Sequence, residues 1–303
     1  MLNTIKGLLE LGRVPNAIAG TLAIFLGASV ISGSPPTMFS PYEFIAISLI
    51  AMLVSFSVMT VNDIMDLEAD RVNAPWRPLP SGRVSVRAAW AASIFYVLAS
   101  LLLSLTLEPV PLFFLLTLSF LVAANLYNVG GKRAFLLGNL LVALLTSFPI
   151  AVGAVLAALR LEDYRQDLLA RALLYTLMAF LSVLAREIAK GIPDVEGDRK
   201  AGVRTIANVY GEGFAATLAA LLYGLSIAVS FLPPLLDLVD AVAYLAIVLP
   251  VNLMVALEAA RLMRRPTKEV ALSHKKRILG LMVLSMIGLY LGAAYHEPYK
   301  PQR

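Results

Sequence analysis

The chain has 303 residues, of which 59% are hydrophobic and 15% charged, with a mean hydropathy of +0.80 and a formal net charge of +5. A soluble domain carries roughly a quarter charged residues, so this composition points to an integral membrane protein. The chain has no cysteine, which excludes disulfides, thiolate nucleophiles and Cys-ligated zinc, and its two histidines, His274 and His296, are too scattered for a His-rich metal site.

Residues 1–16 read as a short amphipathic helix and not as a cleaved signal, because the apolar run is short and broken by charge. Nine apolar segments follow: Ala17–Ser32, Glu43–Met65, Ala88–Leu107, Val110–Tyr127, Phe135–Leu159, Leu168–Ala189, Phe214–Leu232, Leu238–Leu262 and Ile278–Tyr295. Each is close to the ~20 residues needed to cross hydrocarbon. None alternates with period 2, so the expected fold class is an all-α integral membrane bundle of nine transmembrane helices in a single domain over 1–303. Pro149, Pro233, Pro234 and Pro250 mark kinks or span ends.

Nine spans put the termini on opposite sides. With the N-terminus cytoplasmic, 20 of the 25 Lys and Arg residues fall on that side, as the positive-inside rule requires. The expected location is therefore the cell membrane, multi-pass, with the N-terminus and the basic connections cytoplasmic. The positive charge is a topology signal spread over five segments, and it does not indicate nucleic-acid binding.

Two acidic clusters stand at the cytoplasmic ends of spans two and six. Asn62-Asp63-x-x-Asp66-x-x-x-Asp70 is one, and Asp194-x-x-x-Asp198 is the other. Asp66 to Asp194, Asp70 to Asp198 and Arg71 to Arg199 are all 128 residues apart. A constant offset is what an internal duplication leaves, with pseudo-repeats expected over about 12–134 and 135–265 and a last helix over about 278–295.

Asn62, Asp66 and Asp70, at i, i+4 and i+8, form one stripe on a helix that drifts by about 40° per step. Asp194 and Asp198 likewise share a face. Oxygen donors without His or Cys select Mg²⁺, Mn²⁺ or Ca²⁺, and Mg²⁺ prefers few carboxylates with phosphate oxygens and water, which implies a phosphate-bearing substrate. Four aspartates and a diphosphate of roughly −3 leave about −3 after two Mg²⁺ ions, so about three basic groups are needed. Arg77, Lys132 and Arg204 lie in the connections nearest the clusters, and Arg71 and Arg199 beside the last aspartates join them as diphosphate-binding candidates.

The first cluster and the following Arg77-Pro78-Leu79-Pro80-Ser81-Gly82-Arg83 resemble the signature of the UbiA superfamily of intramembrane prenyltransferases. So does Asp194-Val195-Glu196-Gly197-Asp198 with Gly202, Thr205 and Gly211. The resemblance covers nearly the whole chain. It implies a central cavity open to the bilayer, where the two aspartate motifs bind Mg²⁺ and a prenyl diphosphate. Ala185-Arg186-Glu187-Ile188-Ala189-Lys190, Ala201-Gly202-Val203-Arg204-Thr205, and Leu126-Tyr127-Asn128 with Gly131-Lys132-Arg133 and Gly138-Asn139 are most similar to archaeal digeranylgeranylglyceryl phosphate synthases. These transfer a geranylgeranyl group to geranylgeranylglyceryl phosphate, a lipid-like acceptor in ether-lipid synthesis. Gly191-Ile192-Pro193 departs from the pattern, since an acidic residue is expected after the Lys and no proline.

Under that chemistry, an allylic cation forms as the diphosphate leaves, in a cavity that must exclude water. Tyr127 faces the cation with its ring or is an interfacial tyrosine. Asn128 is an orienting group or a helix C-cap. Asp63, off the stripe by about 100°, takes the acceptor proton or pairs with a nearby arginine. Arg13 and Asn16 hold the acceptor head group or anchor the first span. Two rival readings remain: an aromatic prenyltransferase acting on a hydroxybenzoate-like ring, and a secondary transporter. Transporter sites sit near mid-bilayer on broken helices, whereas these carboxylates sit at helix ends.

Overall fold

The computed structural model describes residues 2–32, 36–130, 135–161, 166–200 and 202–296. Those residues form fourteen helices: α1 (Leu2–Gly12), α2 (Val14–Ser32), α3 (Pro41–Met65), α4 (Leu67–Asn73), α5 (Val86–Ser104), α6 (Val110–Val129), α7 (Phe135–Leu161), α8 (Gln166–Lys190), α9 (Val195–Lys200), α10 (Ile206–Tyr210), α11 (Glu212–Val229), α12 (Leu232–Leu235), α13 (Ala241–Arg264) and α14 (Lys268–Tyr295). Among the described residues, nine segments are long and apolar enough to cross a membrane, and they match the nine expected spans, with α11 and α12 together making the seventh. The fold class read from composition and periodicity is therefore the one observed.

The boundaries shift where local chemistry overrides hydropathy. The N-terminal helix ends at Gly12, short of the expected residue 16, because Arg13 takes a left-handed φ of 49° and α2 starts afresh at Val14. The second span starts at Pro41, where Ser40 and Glu43 form a reciprocal capping box. The ninth span starts at Lys268, ten residues before the expected Ile278. Thr267 caps it, and the basic run Lys275–Arg277 continues as helix above the apolar part. The connection between the last two spans shrinks accordingly to residues 265–267.

The chain divides into two compact units. The first comprises Met1–Thr21, Phe39–Leu141 and Asp194–Arg204. Here α3 packs on α5, α6 and α1, and α4 packs on α9. Leu11, Ile64, Leu79, Val84 and Ala89 form a buried apolar cluster beneath the 74–84 turn, and Ser57 and Ser93 share a buried hydrogen bond of 3.0 Å between α3 and α5. Arg83 ties α1 to the same turn through a fork on Glu10 (2.7 and 3.1 Å) and a bond to the Trp76 carbonyl (2.8 Å).

The second unit comprises Leu22–Met38, Val142–Pro193 and Thr205–Arg303. The helices α8, α11, α13 and α14 pack in sequence there. Ala23, Leu26, Val30, Ile150, Tyr175, Val239, Tyr244, Val248, Leu289 and Ala293 form its core. A Ser182–Ser226 hydrogen bond of 2.6 Å joins α8 to α11. At the end of α8, Lys190 bonds Glu187 at 2.6 and 2.9 Å, so Lys190 finds a carboxylate one turn back instead of at Gly191. Pro193 lies buried after two tight turns, Gly191 N to Ile188 O and Ile192 N to Ala189 O. The compact units cut the chain at other places than the pseudo-repeats and place residues 194–204 with the first motif.

Candidate active site

All the acidic residues singled out above lie in the first unit. Asp66 makes a bend between α3 and α4 (φ −89°, ψ 3°) without interrupting the backbone ladder, since Asp66 N bonds Asn62 O at 3.0 Å and Asp70 N bonds Asp66 O at 2.8 Å. The Asn62–Asp66–Asp70 stripe therefore survives the bend. In the second motif, Asp194 precedes α9 and Asp198 lies within it, one turn on, with Asp198 N to Asp194 O at 2.9 Å. Val203 N then bonds Asp198 O at 2.8 Å and closes the turn. Because α9 packs on α4, the two motifs are brought together on short docked helices.

A chain of alternating charges runs through this region. One guanidinium nitrogen of Arg77 donates to both carboxylate oxygens of Asp70, at 2.6 and 2.7 Å, and stands 3.9 Å from Asp63. Asp63, buried, also accepts from Arg13 at 2.5 Å. Burial pushes the Asp70 carboxyl above its ordinary value, against the opposing pull of Arg77. Burial alone would lower Arg77, but the field of Asp70, Asp63 and Asp194 outweighs it and holds the guanidinium firmly protonated. Beside this chain the Asn62 amide donates to Asn128 Oδ1 at 3.1 Å, and the Asn128 amide donates to the Val58 carbonyl at 3.0 Å, linking α3 to α6.

The remaining candidates divide between those turned toward the motifs and those turned away. Asn128 is buried inside α6 and is not its C-cap, which is Gly130. Tyr127 is half-buried one position earlier. Asn16 is half-buried in the first turn of α2, its N–H bonded to the Arg13 carbonyl at 2.8 Å. Arg71 is exposed and pairs with Glu68 at 2.8 Å, because a residue adjacent to Asp70 points about 100° away from it. To meet a diphosphate it would have to leave Glu68. Arg199 is exposed for the same reason. Arg204 is exposed and lies 5.4 Å from the centre of the Phe135 ring, a cation–π contact. Lys132 lies outside the described residues.

The donor chemistry suits a hard divalent cation: Asn62, Asp66, Asp70, Asp194 and Asp198 offer oxygen ligands alone. As the side chains stand, no three carboxylate, His or Cys groups among the described residues are gathered closely enough to hold a metal. Asp63 and Asp70 are drawn to guanidinium groups instead. The Asp63 pairing is the arginine alternative expected from the sequence; spacing did not anticipate the Asp70 pairing, nor the contact of Asn73 in α4 with Gly197 in α9.

The chain matches the UbiA prenyltransferase family over residues 21–286. It belongs to that family. This UbiA prenyltransferase is 32% identical to the digeranylgeranylglyceryl phosphate synthase of Hyperthermus butylicus over 95% of each chain. It is also 32% identical to that of Sulfolobus acidocaldarius over 76% of this chain and 78% of the relative. A solved structure concerning digeranylgeranylglyceryl phosphate synthase in membranes matches with a TM-score of 0.68 at 26% identity, covering 97% of this chain and 99% of its own. A UbiA homologue from Archaeoglobus fulgidus, solved with GPP and Mg²⁺, shares the fold with a TM-score of 0.64 at 16% identity over 94% of this chain and 99% of its own. The protein is thus a multi-pass intramembrane prenyltransferase.

Proposed function

We propose that this enzyme transfers a geranylgeranyl group from geranylgeranyl diphosphate to the hydroxyl of geranylgeranylglyceryl phosphate, with Mg²⁺, at the cytoplasmic face of the cell membrane. The observation that carries the site is the placement of two acidic segments, 128 residues apart in sequence, on docked helices with Arg77 among their carboxylates. The acceptor rests on the likeness to digeranylgeranylglyceryl phosphate synthases across nearly the whole chain.

In this reading Asn62, Asp66, Asp70, Asp194 and Asp198 supply the oxygen ligands. Bound Mg²⁺ would neutralise the charge that grows on the departing diphosphate. Arg77 serves as the bidentate diphosphate partner, and reaching it requires Arg77 to leave Asp70. Lys132 adds a further cation. The allylic C–O bond breaks, the diphosphate leaves with the bonding pair, the acceptor oxygen forms a new C–O bond, and its proton passes to the released diphosphate. Tyr127 presents its ring to the developing cation, and Asn128 holds the Asn62 amide in register across α3 and α6. We assign Asp63 to fixing Arg13 and Arg77 and not to proton abstraction, because its carboxylate is already committed to two guanidinium groups. We assign Arg13, just before α2, and Asn16, in its first turn, to the acceptor phosphate.

The test is transfer of labelled geranylgeranyl diphosphate by purified enzyme with Mg²⁺ to geranylgeranylglyceryl phosphate or to 4-hydroxybenzoate. Product on the glyceryl phosphate supports the assignment, and product on the aromatic acceptor alone overturns it. Asp66→Ala and Asp194→Ala should each abolish Mg²⁺-dependent diphosphate binding; retained binding would remove the metal assignment.

A further inference from the structure

We infer that Asn73 is a positioning residue whose carboxamide, seated against Gly197, sets the spacing between the two acidic helices. This rests on the reading that both motifs serve one Mg²⁺–diphosphate site. Asn73 ends α4, and Gly197 lies buried within α9 between Asp194 and Asp198. A Cβ built on Gly197 would overlap the amide nitrogen, carbon and oxygen of Asn73 together, so the carboxamide lies flat on the glycine backbone. Any Cβ at this position would force the Asn73 carboxamide to swing aside.

The position also follows from helix geometry. Asn73 is eleven residues past Asn62, three turns at 3.6 residues per turn, and so within about 20° of it around the axis. Asn73 therefore extends the Asn62–Asp66–Asp70 face by one more turn, and that face meets α9 through it. Asp198 is adjacent to Gly197, so the depth at which Gly197 seats on Asn73 determines how far Asp198 stands from Asp70. Groups that hold ligands in place without binding the ion typically change metal affinity by roughly 10- to 100-fold when removed.

The experiment measures Mn²⁺ binding, with inorganic diphosphate, by electron paramagnetic resonance on detergent-purified protein, alongside thermal unfolding. Gly197→Ala should weaken Mn²⁺ roughly 10- to 100-fold with little change in melting temperature, and the Mg²⁺ concentration for half-maximal turnover should rise while turnover at saturating Mg²⁺ recovers. Asn73→Ala should also weaken Mn²⁺. The double variant should bind Mn²⁺ better than Gly197→Ala, because the shortened side chain leaves room for the new methyl. Asp194→Ala is the control. If it loses Mn²⁺ while Gly197→Ala and Asn73→Ala bind as wild type does, or if the double variant recovers nothing, the positioning role is wrong and the metal site stands. If Asp194→Ala also keeps its affinity, the metal site itself is wrong. Should Gly197→Ala not fold, Asn73→Ala decides alone: unchanged Mn²⁺ affinity overturns the inference.

Discussion

At the residue scale, Arg77 has two possible partners of opposite consequence. In the structure it neutralises Asp70 and adds to the field on Asp63, occupying by its charge the place among carboxylates that a cation would take. Removing it leaves Asp70 uncompensated and Asp63 with Arg13 alone, which favours a divalent ion, and also removes a bidentate partner for diphosphate. Arg77→Gln should therefore bind Mn²⁺ alone more tightly than wild type. It should also lose about 1.5–3 kcal/mol of diphosphate affinity, roughly 10- to 100-fold. Calorimetric titration of each ligand separately reads the two signs, and parallel losses of both would contradict the exchange. Asp63 is tested through stability. Asp63→Ala strands Arg13, whose side chain is 29% exposed. The expected loss is about 2 kcal/mol, below the roughly 3–5 kcal/mol of a fully buried broken pair, and a melting temperature equal to wild type would count against it.

At the scale of helices, packing inside a bilayer depends on close backbone approach, since apolar side chains gain little by meeting one another instead of lipid. Gly27 of α2 and Gly153 of α7 show this reciprocally. A Cβ on Gly27 would overlap the Ile150 carbonyl, and one on Gly153 would overlap the Ile24 carbonyl. Neither obstacle is a side chain that can rotate away. Gly153→Ala should destabilise by about 1–3 kcal/mol, the cost of overpacking. Gly224→Ala in α11 meets nothing within 4 Å and should be neutral or gain up to about 1 kcal/mol from helix propensity. Thermal unfolding of the two variants in one detergent checks the contrast, and equal effects would remove the packing argument. Hydropathy located α2 and α7 but carried no sign of which spans touch.

At the scale of the whole molecule, the proposed orientation rests on the Lys and Arg asymmetry, and the chain's lack of native cysteine allows a clean test. Leu236, exposed after the seventh span, should face outward, and Arg265, exposed after the eighth, should face the cytoplasm. In intact cells an impermeant maleimide should label Leu236→Cys, and should label Arg265→Cys only after permeabilisation. The reverse pattern would invert the topology and place the acidic motifs on the outer face.

The sequence by itself determined the membrane class and the nine spans to within a few residues at most ends, because hydropathy is a local quantity. It also showed which residues share a helix face, as Asn62, Asp66 and Asp70 do; Asn73 lies near that face at helical period but outside the i+4 spacing that singled out the aspartates. Only the tertiary structure decided the partners. Arg13 meets Asp63 fifty residues away, Asn62 meets Asn128 sixty-six away, and Asn73 meets Gly197 from a separate motif. It also set Arg71 beside Glu68 and Arg204 beside Phe135, contacts that sequence spacing did not indicate. Helical spacing fixes the direction in which a side chain leaves its own axis, but the neighbour it meets depends on which distant helix packs alongside.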